Sequence, residues 1–170
     1  MGRIFSGRDD YSPVRAGVAG AAGALAYLVE MRVDLAALRC PTNDLMLLGR
    51  PFSANRRAWP AIGTALHFFN GVALAQVYAL LGRRLPGPPW LRGLLFTQIE
   101  NTLLYSVVPL FDRFHPAITA GELPRMFRPV PFVQQVLRHI AYGVVLGAVY
   151  GEGRRRHSAR GERGRHAEPA

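Results

Sequence analysis

The chain has 170 residues, 49% of them hydrophobic, and all 21 of its basic residues are arginine, giving a formal net charge of +10. That length is one domain, and the single cysteine, Cys40, rules out an intramolecular disulfide. Most of the apolar residues lie in four long blocks with arginines between and after them, the pattern of membrane spans with flanking positive charge.

Residues 1–15 carry Arg3, Arg8 and Arg15 beside Asp9 and Asp10 and read as a short polar arm. A signal peptide would also place basic residues before an apolar run and a site such as Ala24-Leu25-Ala26. Here the run is glycine-rich, and its Gly-x6-Glu register returns in mid-chain, so it is read as span one, about 16–38, with Glu30 in its second half. Gly17, Gly20, Ala21 and Ala24 form small-residue faces that let helix backbones approach closely in lipid. Arg32 and Asp34 either leave the hydrocarbon or pair near its edge.

The loop 39–60 is punctuated by Pro41, Pro51 and Pro60, and Asn43-Asp44 is suited to cap a short interfacial helix through Leu48. Trp59 marks a membrane boundary. Span two, 61–81, contains His67 and no other chargeable group. A basic, proline-rich turn leads to span three, 91–111, interrupted by Glu100-Asn101 and bent at Pro109. The loop 112–129 follows, with His115 read as a surface histidine. Span four, 130–151, holds Gln134, Gln135, Arg138 and His139 in its first half, which must face protein, water or headgroups. The tail 152–170 is too poor in apolar residues to fold and is expected to be disordered.

The arm, the short turn and the tail carry twelve arginines, against eight on the side of the two long loops. Positive-inside then places both termini in the cytoplasm. Arginine richness without lysine suits a bacterial source, hence the inner membrane. Partners implied by this layout are the lipid bilayer, anionic lipid headgroups beside Arg154, Arg155 and Arg156, and a second copy of the chain in a homo-oligomer; specific nucleic-acid binding is not expected.

An internal repeat organises these blocks. His-x3-Gly-Val-x-Leu-small-x-Val-Tyr occurs at His67–Tyr78 and again at His139–Tyr150, and Gly-x6-Glu occurs at Gly23–Glu30 and Gly93–Glu100. A Glu-helix/His-helix hairpin used twice predicts an all-helical, four-helix transmembrane bundle of two tandem hairpins, related by a pseudo-twofold along the membrane normal. Glu30, His67, Glu100 and His139 then fall at similar depth. Asn70, Asn101 and Arg138 would support them, while Gly71, Gly143 and Gly147 leave room for close helix packing.

Ionisable groups at that depth need partners, because each costs at least about 2.5–3.5 kcal/mol on insertion scales. The expected role is a structural polar clamp through interhelical hydrogen bonds, with a proton or ion pathway, or a transporter-like unit, as the alternative. Two imidazoles and two carboxylates would also suit a transition metal or a bis-histidine haem, although the Glu-x-x-His spacing of di-iron bundles is missing and no cofactor is the expectation. No phosphate loop, Cys-x-x-Cys, His-Glu-x-x-His or Gly-x-Ser-x-Gly motif is present, so an enzyme is not expected.

Four spans, a glutamate in span one, and His67-x3-Gly71 with Tyr78 eleven residues after the histidine resemble small bacterial inner-membrane proteins of the YagU type, over roughly residues 16–151. That resemblance implies a multi-pass inner-membrane protein without an established activity.

Overall fold

The computed structural model describes residues 11–165, and of residues 152–165 the backbone alone. Seven α-helices and a 3-10 turn make up the described chain. Helix α1 (Pro13–Ala37) starts where Ser12 caps it, its side chain accepting from the Arg15 amide, and Pro13 occupies the first turn, where an amide hydrogen would be unused. Helix α2 (Asp44–Gly49) is capped as the sequence leads one to expect, the Asn43 side chain accepting from the amides of Leu45 and Met46 at 3.0 and 3.2 Å. Helix α3 (Trp59–Leu81) is followed by the 3-10 turn Gly82–Arg84.

The predicted span three divides in two. Helix α4 (Pro89–Tyr105) and helix α5 (Val108–Phe114) meet at a 47° bend. Pro109 explains the break, since it has no amide hydrogen for the Tyr105 carbonyl four residues earlier and its ring crowds that oxygen. Helix α6 (Pro116–Thr119) is a single turn, and helix α7 (Pro129–Arg165) ends the described chain.

Two boundaries differ from the sequence reading. Pro13–Arg15 belong to α1 rather than to the arm, and residues 1–10 lie outside the described residues. The α7 backbone stays helical through Arg165, where the sequence predicts disorder from residue 152. Alanine, arginine and glutamate cost little in a helix, so an existing helix can propagate through them without an apolar face; residues 166–170 lie outside the described residues.

Helices α1 and α7 lie side by side at the centre, α3 packs on α1, α4 packs on α7, and α2 lies across α3. Helices α3 and α4 barely touch. Close approach in each pair comes from glycine. A Cβ at Gly20 would strike the Gly71 carbonyl and Ala75, and one at Gly93 would fall on the Gly143 carbonyl and the Gly147 backbone. The central core is correspondingly small-sided, Ala16, Ala19 and Ala75 beside the rings of Tyr27, Tyr78 and Tyr142. On the outer face of α1, Val14, Val18, Leu25, Val29 and Val33 are exposed, a contiguous apolar stripe that marks a lipid or protein contact. Three helices, spanning 13–37, 59–84 and 129–151, are long and apolar enough to cross a membrane, or four if the bent α4–α5 pair is one span.

Candidate functional site

Arg138 is the largest fully buried side chain of the described protein. Its Nε and Nη2 donate to the two oxygens of Asp34, both at 2.6 Å, its Nη1 donates to Asp44 Oδ2 at 2.7 Å, and Nη2 also reaches the Thr42 carbonyl at 2.9 Å. The bidentate grip on Asp34 uses the planar fork that lysine lacks. Gln134 donates to Asp34 and to the Cys40 carbonyl, Gln135 donates to Asp44, and the Tyr27 hydroxyl lies 2.5 Å from Asp44 Oδ2 and 2.9 Å from Gln135 Oε1. The network ties α1, α2 and α7 together at one end of the molecule. Arg138 is therefore the hub, where the spacing gives it only a supporting part. Asp34 and Asp44, expected at a membrane edge and in a helix cap, are its counter-charges.

The four repeated residues behave differently from one another. Glu100 Oε2 and His139 Nε2 come within 3.1 Å, as the hairpin predicts, though off the line of a hydrogen bond. His139 Nδ1 lies 2.7 Å from the Gln135 carbonyl, which can only accept, so that nitrogen carries hydrogen. A neutral ring would then turn a lone pair toward a carboxylate, and acceptor would face acceptor. A proton on the imidazole or on the carboxyl would relieve that contact.

Glu30 and His67 do not pair. His67 donates through Nε2 to the Ala24 carbonyl at 3.0 Å, and its ring lies against Tyr27, with centroids 4.9 Å apart. Glu30 stands one turn before Asp34 and interacts with that carboxylate and with Arg138, and its Oε2 is buried without a hydrogen-bond partner. The ring of Tyr27 touches both His67 and His139, at 4.9 and 5.4 Å. Among the described residues no three His, Cys, Asp or Glu side chains converge in a way that could hold a metal ion.

Between α3 and α4, floored by α1 and α7, is a cleft of about 530 Å³. Its polar wall is formed by His67 and Asn70 from α3, Glu100 and Asn101 from α4, and Gln135 and His139 from α7. The rest is apolar. Leu104, Val77 and Phe111 line it while remaining about half exposed, so they form its lips. Asn101 is 96% buried and borders the cleft. Of the packing glycines, Gly71 meets Ala24 and its carbonyl accepts from the Tyr142 hydroxyl at 2.6 Å, Gly143 meets Thr97, and Gly147 meets Pro89.

A model of a family of unknown function, DUF6789, matches residues 11–160. The chain belongs to the DUF6789 family. No curated protein and no solved structure matches it, and the match brings no support for the YagU-type likeness beyond the short motifs that suggested it. In this DUF6789 member the matched stretch takes in the Arg138 network and the whole cleft.

Two features of the DUF6789 chain escaped the sequence. His115 is buried rather than at the surface: its Nδ1 accepts from the Ala117 amide, capping α6, so the hydrogen on Nε2 is given to the Leu47 carbonyl at 2.8 Å. Tyr27 is only weakly marked in the sequence. Its one available signal is an aromatic hydroxyl three residues before Glu30, on the same helix face. Replacing it (Tyr27→Phe) removes a hydrogen bond to a charged group and is expected to cost about 1.5–3 kcal/mol, read as a shift of the unfolding transition in mixed micelles.

Proposed function

We propose that the protein is a multi-pass integral membrane protein of two tandem hairpins, α1 with α3 and α4 with α7, that holds a membrane-facing binding site between the hairpins. Glycine contacts support the repeat: Gly20 meets Gly71 and Gly93 meets Gly143, offsets of 73 and 72 residues. By that offset Glu100 corresponds to Tyr27 and not to Glu30. The Gly-x6-Glu match, with its offset of 70, is thus about one helical turn out of register, which is why Glu100 reaches its histidine and Glu30 does not.

A complete pseudo-twofold would pair α3 with α4 as it pairs α7 with α1. That second contact stays open and makes the cleft. The roles of the polar residues then separate. Arg138, Asp34 and Asp44 form the clamp, while His67, Asn70, Glu100, Asn101 and His139 form the wall of the site. The single observation that carries the reading is the cleft itself, a largely apolar opening whose wall carries Asn101 and the buried Oε2 of Glu100, which makes no hydrogen bond. The arginine distribution supports cytoplasmic termini, and the composition supports a bacterial inner membrane.

Nitroxide labels at Val77→Cys and Leu104→Cys, in a Cys40→Ser background in lipid bilayers, test this. Both are expected to be relaxed by oxygen far more than by a water-soluble nickel chelate. Equal or greater relaxation by nickel would place the lips in water and overturn the reading.

A further inference from the structure

We infer that the occupant of the cleft is a lipophilic cation, an apolar or aromatic body bearing one positive charge, and that it enters in exchange for the proton shared by Glu100 and His139. The inference rests on the cleft being a membrane-facing site and adds the chemistry of its ligand. Charge is the first argument. Among the described residues no arginine lines the cleft, whereas two carboxylates do, Asp44 and Glu100. Asp44 is already neutralised by Arg138, and with Asp34 the trio keeps a formal charge of −1. An anionic headgroup would meet only repulsion here.

Glu100 is the acid left for a ligand. The groups facing it are His139 and Tyr142 on α7, Tyr27 on α1, His67 across the cleft on α3, and Asp44 on α2. Of these, His139 is the one within ion-pair distance, at 3.1 Å, and it supplies a counter-charge while it holds a proton on Nε2. A cation brought beside Glu100 provides that counter-charge instead, so the proton is no longer required and leaves to solvent. Positive charge is conserved in the exchange: one cation enters and one proton departs.

Shape and surface agree with this. A volume of about 530 Å³ is that of a drug-sized molecule. Tyr27, Tyr105, Phe111 and Tyr142 line the wall, and aromatic rings attract cations through their quadrupole. Asn70 and Asn101 add carbonyl oxygens that can accept from an ammonium or solvate its charge.

Equilibrium binding of tetraphenylphosphonium to the full chain in lipid nanodiscs, with empty discs subtracted, tests the inference beside neutral triphenylphosphine oxide and anionic tetraphenylborate. Saturable binding of the cation is expected, with apparent affinity rising as pH rises, up to about tenfold per pH unit for one displaced proton, and about one proton released per cation. The neutral compound should bind more weakly and without pH dependence, and the anion not at all. Glu100→Gln should lose at least about tenfold in cation affinity together with the pH dependence, and Leu74→Trp, which fills the cleft without touching an acid, should lose binding. If Glu100→Gln does not fold, the proton count and Leu74→Trp decide. Equal affinity for cation and neutral compound at every pH, unchanged binding by Glu100→Gln, binding by Leu74→Trp, or no saturable cation binding would each overturn the inference, whereas the nitroxide result alone decides whether the cleft faces lipid.

Discussion

Arg138→Leu is expected to destabilise the protein by about 3–5 kcal/mol, because it leaves Asp34 and Asp44 buried with no cation between them. Four hydrogen bonds from Arg138 vanish together. Arg138→Lys should recover only part of the loss, since an ammonium keeps the charge but cannot grip both oxygens of Asp34 as a fork while reaching Asp44 and the Thr42 carbonyl. The triple change Arg138→Leu, Asp34→Leu, Asp44→Leu should be much milder than Arg138→Leu alone, as replacing a whole buried ion set with apolar groups is often neutral. Unfolding in mixed micelles measures all three. A wild-type transition for Arg138→Leu would mean that water, and not the arginine, compensates the two aspartates.

Gly93→Leu is expected to abolish the packing of α4 on α7, and Gly93→Ala to cost about 1–3 kcal/mol by overpacking. The obstacle is backbone: the added Cβ meets the Gly143 carbonyl and the Gly147 amide, which cannot swing aside as a side-chain tip does. Gly17→Ala is the control, since its Cβ would find nothing nearer than the Gln76 side chain at 4.0 Å, and it should change stability little. Cross-linking between cysteines placed on α4 and α7 would report the separation directly; retention of the cross-link in Gly93→Leu would show that the pair adjusts by sliding.

Much of the fold was legible because hydropathy is local. The apolar blocks mark α1 and α3 to within a few residues and the start of α7 but not its end at Arg165, Asn43 announces α2, and Pro109 announces the break after α4. What pairs with what was legible only in part. Asp34 and Asp44 lie 104 and 94 residues from Arg138, and nothing near any of the three marks the others; each looked like a residue at the end of its own element. The Glu30–His67 pairing failed for a different reason. Aligning glutamate with glutamate assumes that identical letters occupy equivalent positions, whereas packing in lipid is set by where small residues let backbones meet, and that criterion aligns Gly20 with Gly93. His115 has the sequence surroundings of a surface residue, between a polar loop and a proline, while its burial depends on the Leu47 carbonyl, far off in sequence.

The separation between Arg138 and its two partners also bears on how the protein is made. Asp34 and Asp44 leave the ribosome some 94–104 residues before Arg138, a delay of roughly 5–20 s at about 5–20 residues per second. During that interval α3 and α4 are made, yet the charge that will neutralise Asp34 on α1 and Asp44 on α2 has not been synthesised. On the multi-pass reading proposed above, the nascent chain keeps Asp34 and Asp44 hydrated at the bilayer edge until the last apolar segment inserts and draws them inward. Biogenesis thus ends with an electrostatic latch, set by the last helix to arrive.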